Sequence, residues 1–192
     1  MKQLFSSLLV RFVGFGLVAA PLFSACQKDD VDYDAIKKAQ EEALAAAKAA
    51  WAADSVTINK YIADSSFTSK VQRLPSGVYI VTKTPGSGTI AKPGQALKTY
   101  YKGYTLPDNK LFDASKTDAT TGVRSTFSFT LGIGQVIPGW DYGFSAMSKG
   151  QKAILLIPSG LAYGSNGAVS QGVTLIPPNT PLRFDVELLD VN

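Results

Sequence analysis

Residues 182–188 read LRFDVEL, and this stretch near the C-terminus decides the fold. Apolar side chains occupy positions 182, 184, 186 and 188, and charged ones occupy positions 183, 185 and 187. Because successive side chains of a strand point to opposite faces, the pattern predicts a strand with one buried and one wet face. Such strands are typical of antiparallel sheets.

The residues upstream of this strand continue the β-rich pattern as far back as residue 72. Further short strands are predicted at residues 77–84, 97–104, 126–131 and 152–157, separated by turns rich in Gly and Pro. Only residues 139–147 indicate a helix. One short helix against an antiparallel sheet predicts an α+β domain over residues 72–192.

The segment before this domain is predicted to be a helical arm over residues 34–71. Residues 31–53 are rich in Ala, Lys, Glu and Gln and contain no Gly or Pro, a composition that favours a helix. Asp54 could cap a second short helix that ends at Asp64, or the first helix could run on unbroken; the sequence leaves both open.

The apolar face of this arm is thin. It is traced by positions 36, 40, 44, 47 and 51, of which position 40 is a glutamine, and alanine dominates the segment around them. We interpret the arm as a spacer, with a homodimerisation arm as the alternative.

The N-terminal 25 residues are predicted to be a secretory signal peptide. They contain no acidic residue, and Lys2 and Arg11 precede an apolar run at residues 12–20. A transmembrane anchor over residues 4–23 is the alternative, but Arg11 would lie in its middle.

The single cysteine, Cys26, directly follows this segment. Ser24 and Ala25 before it make the stretch resemble the lipobox of bacterial lipoproteins, although Phe23 replaces the usual Leu, Val or Ile. The resemblance implies a lipidated Cys26 and a membrane anchor, and residues 26–33 then form a polar tether. Residues 27–30 (QKDD) resemble a signal for the outer face of the bacterial outer membrane. We therefore expect a protein of the bacterial cell envelope, lipid-anchored to the outer membrane on its periplasmic or surface face.

Composition excludes several classes of site. The chain has no histidine and one cysteine, which rules out Ser-His-Asp and Cys-His nucleophiles, histidine-ligated metals and an intrachain disulfide. Without the signal peptide the formal net charge falls from +4 to +2, and no dense basic patch interleaved with aromatics is present. We predict no nucleic-acid partner.

Seven short strings in the C-terminal domain form an ordered set. They are residues 101–103 (YKG), 111–113 (LFD), 127–129 (FSF), 136–140 (VIPGW), 162–164 (AYG), 176–178 (IPP) and 182–188 (LRFDVEL). Taken in this order, they resemble the FKBP-type peptidyl-prolyl isomerases. The resemblance covers residues 72–192 and implies an antiparallel sheet curled around one short helix, with a hydrophobic pocket between them. It also implies proline-containing polypeptides as substrates and no metal or cofactor.

The resemblance also implies which residues form the pocket. The Tyr163 hydroxyl and the Ile137 N–H would donate hydrogen bonds to ligand carbonyls, and the Asp113 carboxylate would lie at the pocket edge. The implied catalytic residues are Tyr101, Phe112, Asp113, Phe127, Trp140, Tyr163 and Phe184, and the implied substrate-binding residues at the rim are Val136, Ile137 and Ile176.

This chemistry suits a chain without histidine. Twisting a peptide bond disrupts amide resonance, so a dry pocket that binds the less polar twisted amide lowers the barrier without a nucleophile or metal. Two loops, residues 116–125 and 165–174, are longer than in the smallest family members and affect the expected substrate preference. A non-catalytic module or chaperone that binds proline-containing segments, and a structural lipoprotein, are the alternative functions.

Overall fold

The computed structural model describes residues 33–117 and 122–192. The predicted signal peptide and Cys26 lie outside the described residues. No helix among those described combines the length and hydropathy needed to cross a membrane. The helices and strands, in chain order, are α1 (Tyr33–Asp64), β1 (Val71–Arg73), β2 (Tyr79–Thr84), β3 (Ala96–Thr105), β4 (Leu111–Ala114), β5 (Phe127–Thr130), α2 (Pro138–Ser145), β6 (Lys152–Ile157), β7 (Ala168–Ser170), β8 (Val173–Ile176) and β9 (Leu182–Val191).

One antiparallel sheet forms the body of the domain. Its strand order is β1-β2-β6-β9-β3-β4, and β5 pairs with the first half of β3. β9 is central because it pairs with β6 on one side and with β3 on the other. β7 and β8 form a separate hairpin. The predicted α+β fold, an antiparallel sheet with one short helix and a helix before it, is confirmed.

The alternation that predicted β9 is present in the structure. Leu182 and Leu188 are fully buried, Phe184 is 4% exposed and Val186 is 5% exposed, all on the inner face of the sheet. α2 packs on this face through Phe144, which is fully buried. The helix begins at Pro138, since a proline needs no hydrogen-bond acceptor in the first turn.

Helix α1 runs unbroken through Asp54, which decides between the two helix interpretations. Residues 34–49 are exposed, whereas Ile58 and Ile62 are buried against Leu156 and other apolar side chains on the outer face of the sheet. Burial therefore divides α1 into an exposed first half and a second half that packs on the sheet. Ile58, Tyr61 and Ile62 are apolar at helical spacing in the sequence, but the surface on which they pack is visible only in the structure.

Candidate active site

A cavity of about 410 Å³ opens between the inner face of the sheet and the start of α2. This volume lies within the range of small-ligand sites, about 300–1,000 Å³. Aromatic side chains form its floor and walls, and polar groups lie at its rim. The lining residues are Tyr101, Phe112, Asp113, Phe127, Gly134, Gln135, Val136, Ile137, Trp140, Tyr163 and Phe184.

Trp140, in the first turn of α2, forms the floor. Its ring is 4% exposed and meets Tyr101 and Phe184 nearly edge to face, with ring centroids 5.2 Å apart in each case. Edge-to-face contacts are favourable for aromatic rings and fix their relative orientation. The floor is therefore rigid and apolar. The Trp140 Nε1 atom is buried and has no hydrogen-bond acceptor within the part of the chain that the structure describes.

Phe127, the first residue of β5, forms the exposed wall. It pairs with Thr99 of β3, two residues before Tyr101, so its ring contacts Tyr101 and Trp140 with centroids 5.7 Å apart in both pairs. Phe127 is 38% exposed because its other face opens to the cavity and solvent.

Gly103 of β3 makes the opposite wall possible. It pairs with Phe184 of β9, and a Cβ atom here would lie 2.7 Å from the rings of both Phe112 and Phe184. Real Cβ atoms do not approach other atoms so closely, so only glycine lets these two rings meet edge to face at 5.6 Å.

The rim carries a hydrogen-bonded pair of side chains. The Tyr101 hydroxyl donates to Asp113 Oδ2 at 2.7 Å, and the Ala114 N–H donates to Asp113 Oδ1 at 2.8 Å. Desolvation, followed by the hydrogen bond and the negative charge of Asp113, raises the pKa of Tyr101 far above its ordinary value. Tyr101 thus stays neutral, and its hydroxyl fixes the carboxylate at the edge of the cavity.

Tyr163 provides a donor at the rim that is available to a ligand. It lies between two 3-10 turns, Ser159–Leu161 and Gly164–Asn166, and is 39% exposed. Within residues 33–117 and 122–192, no acceptor is recorded for its hydroxyl. Desolvation first and the charge of Asp113 second raise the pKa of Tyr163, so the phenol keeps its proton near neutral pH.

The segment between β5 and α2 supplies Val136 and Ile137. Gln135 braces this segment, since its Oε1 accepts a hydrogen bond from the Thr130 N–H at 2.7 Å. The Ile137 carbonyl accepts the Trp140 N–H at 2.9 Å, and no partner is recorded for the Ile137 N–H within the described chain. The backbone donor at position 137 can therefore bind a carbonyl.

Ile176 lies elsewhere than predicted. It is 2% exposed, belongs to the hydrophobic core and is absent from the cavity lining. The end of β8 directs this side chain inward, while the hairpin with β7 occupies much of the long loop at residues 165–174. The prediction that Ile176 closes the rim is therefore corrected to a core role.

Comparison with known proteins decides the family. A family model described as FKBP-type peptidyl-prolyl cis-trans isomerase matches residues 88–189. The peptidyl-prolyl cis-trans isomerase Fkbp12 of Drosophila melanogaster is 46% identical over 60% of this chain and 98% of its own length. The chain belongs to the FKBP-type peptidyl-prolyl cis-trans isomerases. The enzyme class predicted from the sequence is confirmed.

Other relatives of this FKBP-type chain agree. FK506-binding protein 1 of Candida glabrata is 43% identical over 63% of this chain and 98% of its own. The match to FKBP53 of Arabidopsis thaliana, at 39% identity, spans 27% of that protein. A crystal structure of a peptidyl-prolyl cis-trans isomerase from Pseudomonas syringae superimposes with a TM-score of 0.59 at 32% identity, covering 76% of this chain and 95% of that one.

The fold brings nine of the ten predicted pocket residues to one cavity, all except Ile176. Sequence reasoning did not assign Gly134 to the FKBP pocket, although it lies two residues before the string at 136–140. Gln135, which stands where family members commonly have an acid, also lines the cavity. Sequence reasoning also missed the role of Gly103, for which the signal was a glycine within an otherwise bulky strand. These placements concern geometry, and the catalytic roles are taken up as a proposal below.

The two raised tyrosine pKa values predict an alkaline titration. Of the eight tyrosines, Tyr101 and Tyr163 should stay protonated above about pH 10, where a tyrosine in an unfolded chain ionises. The unfolded state then binds fewer protons than the folded state, so stability should fall as pH rises above about 10. Tyrosinate absorbance of native and denatured protein measures this directly. Identical native and denatured titration curves would contradict the prediction.

Proposed function

We propose that the aromatic cavity is the place where this enzyme isomerises X-Pro bonds. The observation that carries the proposal is the combination of an apolar floor with two donors at the rim, neither of which has a recorded acceptor among residues 33–117 and 122–192. Trp140 and Phe184 supply the floor and wall, and the Tyr163 hydroxyl and the Ile137 N–H supply the donors.

The physical chemistry of the reaction fits this arrangement. The barrier to peptide rotation is about 18–20 kcal/mol and arises from amide resonance. A twisted amide carries less charge on its oxygen, so it loses less hydration than the planar amide when it enters an apolar cavity. The cavity therefore binds the twisted state more tightly than the ground state, which lowers the barrier.

The rim donors hold the substrate while its bond twists. Hydrogen bonds from Tyr163 and Ile137 to carbonyls of the peptide hold the chain beside the floor in the planar and the twisted state alike, so they supply affinity and orientation. The Asp113 carboxylate, held by Tyr101, adds a fixed negative charge at the edge. No proton transfer or covalent intermediate is needed in this scheme.

The test is the exchange rate between cis and trans forms of a short X-Pro peptide, measured by NMR with and without the full chain. Uncatalysed exchange takes tens to hundreds of seconds, so catalysis is readily observed. Acceleration supports the proposal. Peptide binding at the cavity without acceleration would instead support the non-catalytic binding module.

We propose further that the enzyme acts on exported polypeptides while anchored to the outer membrane through lipidated Cys26. The support is the sequence of residues 1–30, with its basic and apolar segments and a cysteine after two small residues. The exposed half of α1, residues 34–49, would add about 24 Å between anchor and domain at 1.5 Å per residue. This is the spacer interpretation, and sedimentation of the full chain as a dimer would favour the dimerisation arm.

Replacing Cys26 with serine tests the anchor. We expect Cys26→Ser to lose incorporation of labelled fatty acid and to leave the outer-membrane fraction, because the lipid attaches to the thiol. Ser24→Ala keeps a small residue before the cysteine and serves as the matched control. A Cys26→Ser protein that stays in the outer membrane with unchanged processing would show that another feature anchors the chain.

A further inference from the structure

Asp54 is a buried carboxylate that the proposed catalysis does not use. It lies in the second half of α1 and is 2% exposed. Burying a carboxylate is unfavourable unless it is hydrogen-bonded or paired. Its Oδ2 atom accepts the Ser159 backbone N–H at 2.7 Å and the Ser159 hydroxyl at 2.6 Å. No Lys or Arg among the described residues forms an ion pair with it.

Ser159 begins the 3-10 turn that leads to Tyr163. The first N–H groups of a helical turn have no acceptor within the turn, so one must come from elsewhere. Asp54 supplies it from a helix 105 residues earlier in the chain. Within the turn the Leu161 N–H donates to Pro158 and the Ala162 N–H donates to Ser159, both at 2.9 Å. Tyr163 follows directly.

Trp51 holds the same turn from one helical turn earlier in α1. Residues three apart lie on one face of a helix, so Trp51 and Asp54 point to the same surface. The Trp51 ring passes over Gly160, where a Cβ atom would lie 3.8 Å from it. The same ring passes close to Gly77, which leaves no room there for a side chain. α1 thus contacts the turn at two places, through Asp54 at Ser159 and through Trp51 at Gly160.

Backbone hydrogen bonds hold the segment that follows Tyr163, residues 164–167. The Gly167 N–H donates to the Tyr163 carbonyl at 3.2 Å, and the Asn179 N–H donates to the Gly164 carbonyl at 2.8 Å. The turn that precedes Tyr163 is held instead by the side chain of Asp54, through its hydrogen bonds with Ser159. The Tyr163 ring is therefore placed between a turn fixed by α1 and a turn fixed by the loop before β9.

We propose that Asp54 is a positioning residue for Tyr163 and that α1 thereby sets substrate affinity. This inference rests on the proposed function, because it concerns the donor at the rim of that cavity. α1 ends at Asp64, and the family model begins to match at residue 88. Asp54 and α1 thus lie outside the part of the chain that the family model matches. The two hydrogen bonds between Asp54 and Ser159 join α1 directly to the turn before Tyr163.

The experiment measures KM and kcat of the full chain for an X-Pro peptide. Asp54→Ala should raise KM about 10-fold with kcat nearly unchanged, because a rim hydrogen bond that holds ground and transition states alike affects KM. Asp54→Asn keeps an acceptor and should be intermediate. Ile58→Val, on the same helix but packed on the outer face of the sheet, should leave KM unchanged.

A double-mutant cycle separates positioning from general stability. If Asp54 acts through Tyr163, Asp54→Asn should have no further effect on KM in a Tyr163→Phe background. An equal KM effect in both backgrounds would overturn the inference. So would a lowered melting temperature with wild-type KM.

Amide hydrogen exchange gives a readout that does not need activity. Asp54→Asn should speed exchange at Leu161 and Ala162 about 10-fold relative to the core strands, and Ile58→Val should not. If the wild type does not accelerate cis–trans isomerisation of the X-Pro bond, the proposed function fails. The amide hydrogen exchange data then test the link between Asp54 and the turn before Tyr163 on their own. Unchanged protection at Leu161 and Ala162 would then overturn it.

Discussion

Phe127→Ala is expected to lower kcat/KM for X-Pro isomerisation by about 30-fold, equivalent to roughly 2 kcal/mol of transition-state stabilisation. Phe127 forms the exposed wall of the cavity and contacts both Tyr101 and Trp140. Removing its ring admits water beside the twisting bond, and water stabilises the planar, more polar amide. The loss should therefore fall on the transition state and appear mainly in kcat.

The full chain is suited to this measurement because Phe127 is 38% exposed, so the variant should remain folded. NMR exchange on an X-Pro peptide gives kcat and KM, and the circular dichroism spectrum checks the fold. Tyr142→Ala is the matched control, since Tyr142 is a 47% exposed aromatic residue on α2 that does not line the cavity. Wild-type kcat/KM in a folded Phe127→Ala protein would place catalysis elsewhere.

The parts of the fold that were predictable from sequence are those that depend on local pattern. β9 was predictable because its alternation spans seven residues and each apolar position is buried in the sheet. The pocket was predictable for a different reason. Its residues lie in short strings whose resemblance to a known family implied that they line one cavity, and composition alone would have assigned Trp140 and Phe184 to the core.

The parts that were not predictable depend on contacts between distant residues. Nothing local at Asp54 indicates that its partner is Ser159, and a cap for a new helix was an equally good interpretation. The spacing of Ile58 and Ile62 suits one face of a helix, but nothing in the local sequence indicates that this face packs on the outer face of the sheet. The prediction for Ile176 was misplaced for a different reason. The resemblance implied a position at the rim, but in the structure the residue lies at the end of the β7–β8 hairpin with its side chain in the core.

Phe144→Ala should cost about 3–5 kcal/mol of unfolding free energy, the range for removing a buried aromatic ring from a core. Phe144 is fully buried, and its ring lies 5.2 Å from that of Trp140 and 5.3 Å from that of Phe129. The space it leaves cannot easily collapse. α2 is eight residues long, and Gly143 already brings its backbone against Leu155, where a Cβ atom would lie 2.7 Å from that side chain.

Urea denaturation of the full chain, followed by circular dichroism, measures this loss. Phe144→Leu keeps most of the volume and should cost less than half as much, whereas Tyr142→Ala on the exposed side of α2 should change stability by no more than about 0.5 kcal/mol. The ring of Phe144 supports the floor of the cavity through Trp140, so the folded fraction of Phe144→Ala should also show weaker peptide binding. A loss below about 1 kcal/mol would mean that Phe144 does little to hold α2 on the sheet. The floor residue Trp140 would then be fixed mainly by its contacts with Tyr101 and Phe184 of the sheet.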